Sequence, residues 1–349
     1  MKYSLVVTLH NFNLKHAGNK AVTDCELILH KRGFRTINLT FDKSPYFIGF
    51  SLIKLFTQLS ILAISIKPNS LIVTQYPIIG VNRFFAFFIG LLRHKKCRFA
   101  CLIHDINALR YQLPEQAVQK EIDNLNKYDV IISHNKKMTE WLKAKGLIRE
   151  AVTLKLFDYL YTNENNFNRV TGYAAGRKKI TFAGNLNRGR FIFQLKVLPK
   201  LQFDLYGPTD DPVLIQQQRN VSWKGLYGPE KLVSKLGGNF GLVWDGDDIE
   251  DCTGQFGDYI RYNNPHKISL YIAAGLPVII PSKAALCPFV IKENIGIAIN
   301  SLYDLYGEIN KINTEQYETM VQNIFSIKNK LKTGYYFNAA LEEIENNLI

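Results

Sequence analysis

The segment NNPHKISLYIAAGLPVII (residues 263–280) contains a helix start, an apolar helix, a helix stop and the beginning of a strand. Asn264 is suited to the N-cap and Pro265 to the first helical position, while Gly275 and Pro277 end the helix before the next apolar run. A helix that leads directly into a buried strand is the connection used in α/β proteins. The segment therefore predicts an α/β unit in this part of the chain.

Apolar runs bounded by turn residues recur on both sides of this segment, with helix-length segments between them. The runs are YSLVVTL, SLIVTQY, RFACLIHD, DVIISHN, KITFAGN, FDLYG, FGLVWDGD, LPVIIPS and IGIAIN. They do not alternate strictly, which is typical of parallel strands covered by helices on both faces. A polar stretch rich in Asn and Gly at 158–178 interrupts the pattern. The sequence therefore predicts an α/β fold with two Rossmann-like, doubly wound domains, residues 1–158 and 165–334, facing a central cleft.

The positive charge of the chain is concentrated in its first half. The net charge is +13, and residues 1–160 hold 23 Lys and Arg against 11 Asp and Glu, a net +12, whereas residues 161–349 give +1. Such a field favours phosphates, whether in nucleic acid, in anionic lipid headgroups or in a lipid-linked diphosphate. The basic residues are spread over predicted helix ends and loops with no recognised nucleic-acid motif, so a nucleic-acid partner is not expected.

The cysteines and the first residues indicate a cytoplasmic protein. Five scattered cysteines suggest neither a disulfide framework nor a zinc site. The opening MKYSLVVTLHN has no cleavage site after its short apolar run, so we interpret it as a first strand and expect no export.

Two apolar stretches in the first half raise the question of membrane contact. Residues 46–66 are long enough to span a bilayer, but polar residues interrupt them on more than one turn, so a core helix is the preferred interpretation. Residues 82–96 combine an apolar, aromatic segment with basic residues at both ends. That pattern suits a helix on an anionic membrane surface and equally a helix packed on a sheet, and both interpretations stay open.

Two positive side chains in the second half are candidates for holding a diphosphate. Lys267 stands in the first turn of the helix described above, where exposed backbone N–H groups and the helix dipole attract anions. The loop KITFAGNLNRGR (179–190) follows a predicted strand, and in it Gly184 lets the backbone approach a ligand while Arg188 offers a forked donor. The alternatives are an ordinary capped helix with a solvated lysine, and a plain turn around Asn185.

The segment LVWDGDDIEDC (242–252) carries five acidic residues in seven positions. An Asp-x-Asp pair after a strand is suited to Mg²⁺ or Mn²⁺ beside a nucleotide diphosphate. The preferred interpretation is an acidic loop whose first member, Asp245, meets a hydroxyl or a basic partner, because Lys267 and Arg188 can neutralise the phosphates without a metal. We therefore expect neither metal ligands nor a cofactor.

Polar residues also follow predicted strands of the first half. His104 and Asp105 end one strand and His134 ends another, so they face the ligand edge of a doubly wound sheet and are candidates for acid–base work or acceptor contacts. Structural roles in joining loops are the alternative. Gly18 precedes a predicted helix after the first strand, where a ligand can approach, and with the nearby Lys20 it is expected on the acceptor side.

The residues above lie within segments by which the chain resembles a family of glycosyltransferases. It resembles the cytoplasmic, GT-B fold β-1,6-galactofuranosyltransferases of bacterial O-antigen synthesis, and less closely the glucosyltransferases that extend GlcNAc on streptococcal serine-rich adhesins. The shared segments are AGNKA (17–21), LIHDINALR (102–110), ISHNKKMTEWL (132–142), FDYL (157–160), AGNLNR (183–188), FGLVWDGD (240–247), CTGQFGDYIRYNNPHKISLYIAAGLPV (252–278), KAAL (283–286) and TGYYFNAALEEI (333–344). They extend over nearly the whole chain.

The resemblance implies a UDP-sugar donor held mainly by the second domain, an acceptor held by the first, no essential metal, and a last helix (335–349) that packs back on the first domain. Arg188 and Lys267 match the diphosphate-binding arginine and lysine of the adhesin glucosyltransferases, and Tyr227 falls near their nucleotide-contacting tyrosine. The expected donor-binding residues are Gly184, Asn185, Arg188, Tyr227, Asp245, Asn264, His266, Lys267 and Ser269.

One departure from the wider GT-B pattern bears on the reaction. Retaining members carry two glutamates at positions that correspond here to Tyr262 and Leu270, so the sequence indicates inversion. The expected base is Asp105, with His104 as the second choice. The main hypothesis is hexosyl transfer, of galactofuranose from UDP-galactofuranose, to a lipid-diphosphate-linked glycan at the inner face of the cytoplasmic membrane.

Two alternatives to this hypothesis stay open. One is a UDP-glucose-dependent enzyme that acts on a glycosylated adhesin, and the other is a catalytically silent subunit that binds sugar nucleotides. The family members also suggest a homo-oligomer.

Overall fold

The computed structural model describes residues 1–9, 19–41, 48–78, 82–162, 173 and 178–348. It divides into two compact units, Met1–Lys155 with Tyr336–Ile349 and Leu156–Tyr335. Each unit contains a six-stranded sheet, and all of the described strand pairs are parallel. The predicted α/β class with two Rossmann-like sheets is confirmed.

The first unit has the strand order β2-β1-β3-β4-β5-β6. Its strands are β1 (Lys2–Leu9), β2 (Arg35–Phe41), β3 (Leu71–Tyr76), β4 (Arg98–Ile103), β5 (Val130–Ser133) and β6 (Glu150–Thr153). Its helices are α1 (Lys20–Lys31), α2 (Ile48–Ser65), α3 (Asn82–His94), α4 (Asn107–Arg110), α5 (Glu115–Leu125) and α6 (Lys136–Ala144). Because parallel crossovers are right-handed, α1 lies on one face of this sheet and α2 to α6 lie on the other.

The second unit has the strand order β12-β11-β10-β7-β8-β9. Its strands are β7 (Lys179–Ala183), β8 (Gln202–Tyr206), β9 (Val221–Gly225), β10 (Phe240–Leu242), β11 (Val278–Pro281) and β12 (Gly296–Ile299). Its helices are a 3₁₀ helix (Arg190–Val197), α7 (Pro212–Gln216), α8 (Pro229–Lys235), α9 (Gly254–Tyr259), α10 (His266–Ala274), α11 (Cys287–Lys292), α12 (Leu305–Asn310) and α13 (Thr314–Thr333). A last helix, α14 (Tyr335–Leu348), follows.

The central strands explain why the apolar runs predicted the sheets. All residues of β5 and β11 are buried, and β4 is buried after its first residue, because helices cover both faces. Such strands have no solvent-facing side and do not alternate.

The chain returns to the first unit at its C-terminal end. Gly334 takes a left-handed backbone conformation (φ 76°) and ends α13. Within the first unit, the guanidinium of Arg32, at the end of α1, then donates to Glu345 at 3.0 Å and to Glu342 at 3.2 Å, both on α14. These ion pairs hold α14 beside α1.

Candidate functional site

The second sheet reverses its direction of growth between β7 and β10. From β7 the chain moves to β8 and β9 on one side, and it then crosses back so that β10, β11 and β12 continue on the other side. At such a switch point the connecting segments leave toward opposite faces, which opens a crevice at the carboxyl ends of the two strands. The loops after Ala183 and Leu242 border this crevice.

A buried tyrosine bridges the ends of the two strands. The Tyr271 hydroxyl donates to the Leu242 carbonyl at 2.9 Å and accepts from the Ala183 amide at 2.9 Å. Burial raises its pKa well above the ordinary value of a phenol, so the group stays protonated. Gly241 makes room for the ring, since a Cβ there would lie 2.2 Å from it. Tyr271 was not among the predicted site residues, and the only sequence signal for the close approach of its ring is the glycine inside β10, Gly241.

Lys267 reaches this crevice from α10. Its ammonium donates to the Trp244 carbonyl at 2.9 Å and to Asp245 Oδ2 at 2.8 Å, and it lies 4.5 Å from the centre of the Phe182 ring. A Cβ added to Gly184 would be 3.2 Å from Lys267 Cε, so the loop after β7 lies directly against the lysine. The Lys267 side chain is 17% exposed and that of Asp245 30%. An ammonium has three N–H donors, and two of them are used here.

The start of α10 differs from the prediction. The helix begins at His266, so Pro265 occupies the N-cap position, and its side chain offers no hydrogen bond to the first turn. Asn264 is not the N-cap and is 3% exposed. The prediction was wrong by one residue because Pro265 takes an extended conformation (ψ 125°), so its ring does not enter the helix. The predicted helix end at Gly275, which has φ 78°, is confirmed.

Arg188 lies on the loop that borders the same crevice. Its guanidinium carbon is 5.3 Å from the centre of the Phe256 ring, and the side chain is exposed. A Cβ on Gly189 would lie 3.6 Å from the Gly246 carbonyl, so this loop and the acidic loop are neighbours. The structure thus brings together the two loops that carry Arg188 and the partner of Lys267, Asp245.

The loop that begins at Gly184 is shaped by close backbone approaches. Asn185 Oδ1 accepts from the Asn187 amide at 3.0 Å, which forms a tight side-chain turn. Gly207, at the end of β8, has φ 139°, and a Cβ there would lie 1.8 Å from the Gly184 carbonyl. Only glycine fits at 207, a requirement that the sequence did not reveal.

Asp245, in the acidic loop, meets the basic partner that the preferred interpretation allowed for it, which is Lys267 of α10. The Cys252 thiol donates to the Asp245 carbonyl at 2.9 Å and closes the loop, and burial raises the pKa of this thiol to about 12. Farther along, Asp251 pairs with Lys283 at 2.9 Å. Within the described ranges no three His, Cys, Asp or Glu side chains are arranged to hold a metal ion. That no metal is required stays a prediction.

The other predicted donor-side residues differ in their access to ligand. Ser269 is completely buried, and its hydroxyl donates to the Phe157 carbonyl at 2.6 Å. The His266 ring stacks on Tyr159 at 5.0 Å between centroids. Both residues therefore fasten the segment after β6 to α10. Tyr227 is half-buried after the edge strand β9, and its ring is 6.3 Å from that of Tyr206.

In the first unit, His104 and Asp105 follow β4 as predicted. His104 Nε2 is 2.6 Å from Gln75 Oε1. Because an amide oxygen only accepts, this nitrogen carries the proton. Asp105 forms an ion pair with Arg110 of α4. The carboxylate is 30% exposed and reachable by a ligand.

The acceptor-side candidates lie deeper in this unit. His134 is 1% exposed, burial lowers its pKa from 6.5 to about 4, and its Nε2–H donates to the Ile103 carbonyl at 3.0 Å. The neutral ring thus fixes the end of β4, next to His104. Lys20 is buried and pairs with Asp24 at 2.7 Å. Gly18 lies outside the described residues.

A cavity of about 300 Å³ opens in the first unit beside the loop that carries Asp105. Its lining includes Tyr76, Asn107, Leu113 and Glu121. The Glu121 carboxylate accepts from the amides of Asn107 (3.1 Å) and Ala108 (2.7 Å), and burial raises its pKa. Sequence patterns did not single out Glu121, because a glutamate on a helix usually faces solvent.

The chain matches known protein families and individual relatives. Two family models match the chain, "Glucosyltransferase 3-like, N-terminal domain" over residues 4–156 and "Glucosyltransferase 3-like, C-terminal domain" over residues 180–344. The β-1,6-galactofuranosyltransferase WbbI of Escherichia coli (strain K12) is 36% identical over 266 residues, which cover 75% of each chain. Glucosyltransferase 3 of Streptococcus gordonii is 25% identical over 79% of each chain. Both predicted resemblances are confirmed.

Among solved structures, that of Anabaena HepE in complex with UDP and glucose aligns with a TM-score of 0.62. The alignment covers 100% of this chain and 99% of the other at 11% identity. At that identity the likeness shows the fold alone, and the predicted GT-B fold is confirmed.

Proposed function

The chain belongs to the glucosyltransferase 3-like family and is a glycosyltransferase, and from this premise we propose that it transfers galactofuranose from UDP-galactofuranose to a glycan acceptor. The relative at 36% identity, named as a β-1,6-galactofuranosyltransferase, supports the sugar. We further propose that the acceptor is a lipid-diphosphate-linked glycan of surface polysaccharide synthesis at the inner face of the cytoplasmic membrane, and that no metal takes part.

The position of Lys267 at the switch point is the observation that supports binding of the UDP-sugar donor in the second unit. Two of its N–H donors are held by the Trp244 carbonyl and by Asp245, at 2.9 and 2.8 Å. These bonds fix the ammonium at the crevice and leave the third donor for a phosphate oxygen. Arg188, on the neighbouring loop, is exposed and forms no ion pair with a described residue. We propose that both cations bind the donor diphosphate.

The proposed reaction is a single inverting displacement. The Asp105 carboxylate takes the proton of the acceptor hydroxyl while its oxygen attacks the anomeric carbon of the donor sugar. The bond between that carbon and the diphosphate oxygen breaks, and the electron pair leaves with UDP. Lys267 and Arg188 stabilise the charge that develops on the diphosphate. Arg110, the ion-pair partner of Asp105, holds the carboxylate in place.

A second candidate function is transfer of glucose from UDP-glucose to a glycosylated protein. The relative named Glucosyltransferase 3 favours it, at 25% identity over 79% of the chain. Both candidates place the same diphosphate between Lys267 and Arg188 and differ only in the sugar and the acceptor.

A panel of UDP-galactofuranose, UDP-galactopyranose and UDP-glucose separates the candidates. We expect the cognate donor alone to be hydrolysed to UDP, or to raise the melting temperature more than UDP does. Hydrolysis of UDP-glucose alone would favour the second candidate. If no donor releases UDP under any condition, the protein is a binding subunit and the proposed reaction is wrong. Activity should persist in EDTA, and its loss would contradict the metal-free mechanism.

A further inference from the structure

The first unit contains a long segment without acidic side chains. From residue 43 to residue 104 there is no Asp or Glu, while eight Lys and Arg occur. They are Lys43, Lys54, Lys67, Arg83, Arg93, Lys95, Lys96 and Arg98. The segment therefore contributes +8 to a chain of net charge +13. It includes α2 and α3, which belong to the same face of the first sheet.

These two helices also expose large apolar side chains. Six of them are between 39% and 79% exposed: Ile53, Phe56, Ile61, Ile64, Phe87 and Leu91. We call this set the α2–α3 face. The rings of Phe56 and Phe87 stack across the two helices with centroids 6.2 Å apart, which joins both halves of the face. The prediction of a core helix for residues 46–66 holds only for its buried side, where Leu59 is 3% exposed.

Cations flank one end of the α2–α3 face, in the turns that follow the two helices. The Lys95 ammonium donates to the carbonyls of Ile64 and Ile66, both at 3.0 Å, so the C-terminal ends of α2 and α3 are tied together. The Asn69 amide donates to the Lys95 carbonyl at 3.0 Å, which brings the two turns side by side. Lys67 and Lys96 stand in these turns and are exposed.

We propose that the α2–α3 face docks the protein on an anionic lipid bilayer. Exposed Phe and Ile side chains enter the boundary between headgroups and acyl chains, and the adjacent lysines contact the anionic headgroups. A helix face of this kind lies in the interface, which agrees with the finding that none of the described helices has the length and apolar character to cross a bilayer. Only the purpose of membrane docking rests on the proposed function: docking would bring the enzyme to a lipid-linked acceptor.

The charge pattern favours lipid over a second copy of the chain as the occupant. An isologous contact through this face would bring the exposed Lys67 and Lys96 of two copies together, and like charges repel. An anionic bilayer instead supplies the opposite charge to these exposed lysines. The same pattern predicts that salt weakens the association.

The test is co-sedimentation of the full-length protein with vesicles of phosphatidylcholine, with and without phosphatidylglycerol, at low and high salt. We expect binding only to the anionic vesicles and its loss at high salt. Lys67→Ala with Lys96→Ala should lower the partition coefficient roughly 30-fold, about five-fold for each cation. Phe56→Ser should lower it about ten-fold.

Matched controls come from the second unit, where Lys292 is exposed and Phe325 is 56% exposed. Lys292→Ala and Phe325→Ser should bind as the wild type does. Equal binding to neutral vesicles, or variants of the α2–α3 face that bind as well as these controls, would overturn the proposal. If Phe56→Ser converts an oligomer to a monomer and lipid binding is unchanged, the face belongs to a second copy.

Release of UDP from the cognate donor, measured without lipid, separates this proposal from the proposed function. The variants of the α2–α3 face should release UDP at the wild-type rate. A protein that binds anionic vesicles and releases no UDP would contradict the proposed reaction and leave the docking surface standing.

Discussion

Replacing Lys267 with alanine should weaken the binding of UDP far more than that of uridine. The ammonium lies at the crevice between β7 and β10, within 2.8 Å of Asp245 Oδ2 and 2.9 Å of the Trp244 carbonyl. The proposed diphosphate accepts from its third N–H, whereas uridine has no diphosphate and loses nothing. The ratio of the two affinities therefore reports on the contact itself.

The expected loss follows from the charges involved. A hydrogen bond to a charged group is worth about 1.5–3 kcal/mol, or about 10- to 150-fold in affinity. Without Lys267, the carboxylate of Asp245 also stands uncompensated beside the diphosphate and repels it. We therefore expect a loss of about 100-fold for UDP. Adding Asp245→Asn removes the repulsion, so the double variant should bind UDP better than Lys267→Ala alone.

Isothermal titration calorimetry with UDP and with uridine measures these effects. The control is Lys311→Ala, which removes a lysine that pairs with Glu308 at 2.7 Å elsewhere in the second unit. That variant should bind both ligands as the wild type does. If Lys267→Ala weakens the binding of UDP and of uridine equally, or leaves both unchanged, the lysine does not contact the diphosphate.

Three further results are expected. Asp105→Asn should slow sugar transfer about 100-fold or more without changing UDP affinity, and unchanged turnover would exclude Asp105 as the base. Gly207→Ala should destabilise the fold by roughly 3 kcal/mol in urea, because its Cβ would meet the Gly184 carbonyl at φ 139°, whereas Gly237→Ala, with open space around it, should cost about 1 kcal/mol or less. Burial lowers the pKa of His134 from 6.5 to about 4, so between these pH values the imidazole is protonated only in the unfolded chain. The free energy of unfolding therefore falls as the pH falls through this interval. His134→Asn should reduce that pH dependence by about 3 kcal/mol, and an identical slope in both proteins would argue against a neutral buried ring.

The sequence predicted the central strands of both sheets and missed three at the edges. All nine apolar runs are strands, whereas β2, β6 and β9 were not predicted. Each of these three is an edge strand, whereas the fourth described edge strand, β12, was predicted from its apolar run IGIAIN. An edge strand has one partner and more solvent contact, so it can carry polar residues, as β9 does with VSWKG, and the run of buried apolar residues is then absent.

The sequence predicted those contacts of the candidate site that follow from charge and from position at a helix start. The expectation that Asp245 meets a basic partner is confirmed by its bond to Lys267. The role of Tyr271 was not predicted, because a tyrosine in an apolar helix looks like part of the core until its hydroxyl is seen to join two strand ends. Gly207 was missed for a similar reason, since its close neighbour, Gly184, is distant in sequence.

The central claim is that Lys267 and Arg188 together hold the diphosphate of a uridine nucleotide. A crystal structure of the protein with UDP tests it most directly. We expect diphosphate oxygens within about 3 Å of the Lys267 ammonium and the Arg188 guanidinium, with the Arg188 side chain moved from its position over Phe256. A diphosphate bound elsewhere, or held by neither side chain, would contradict the account.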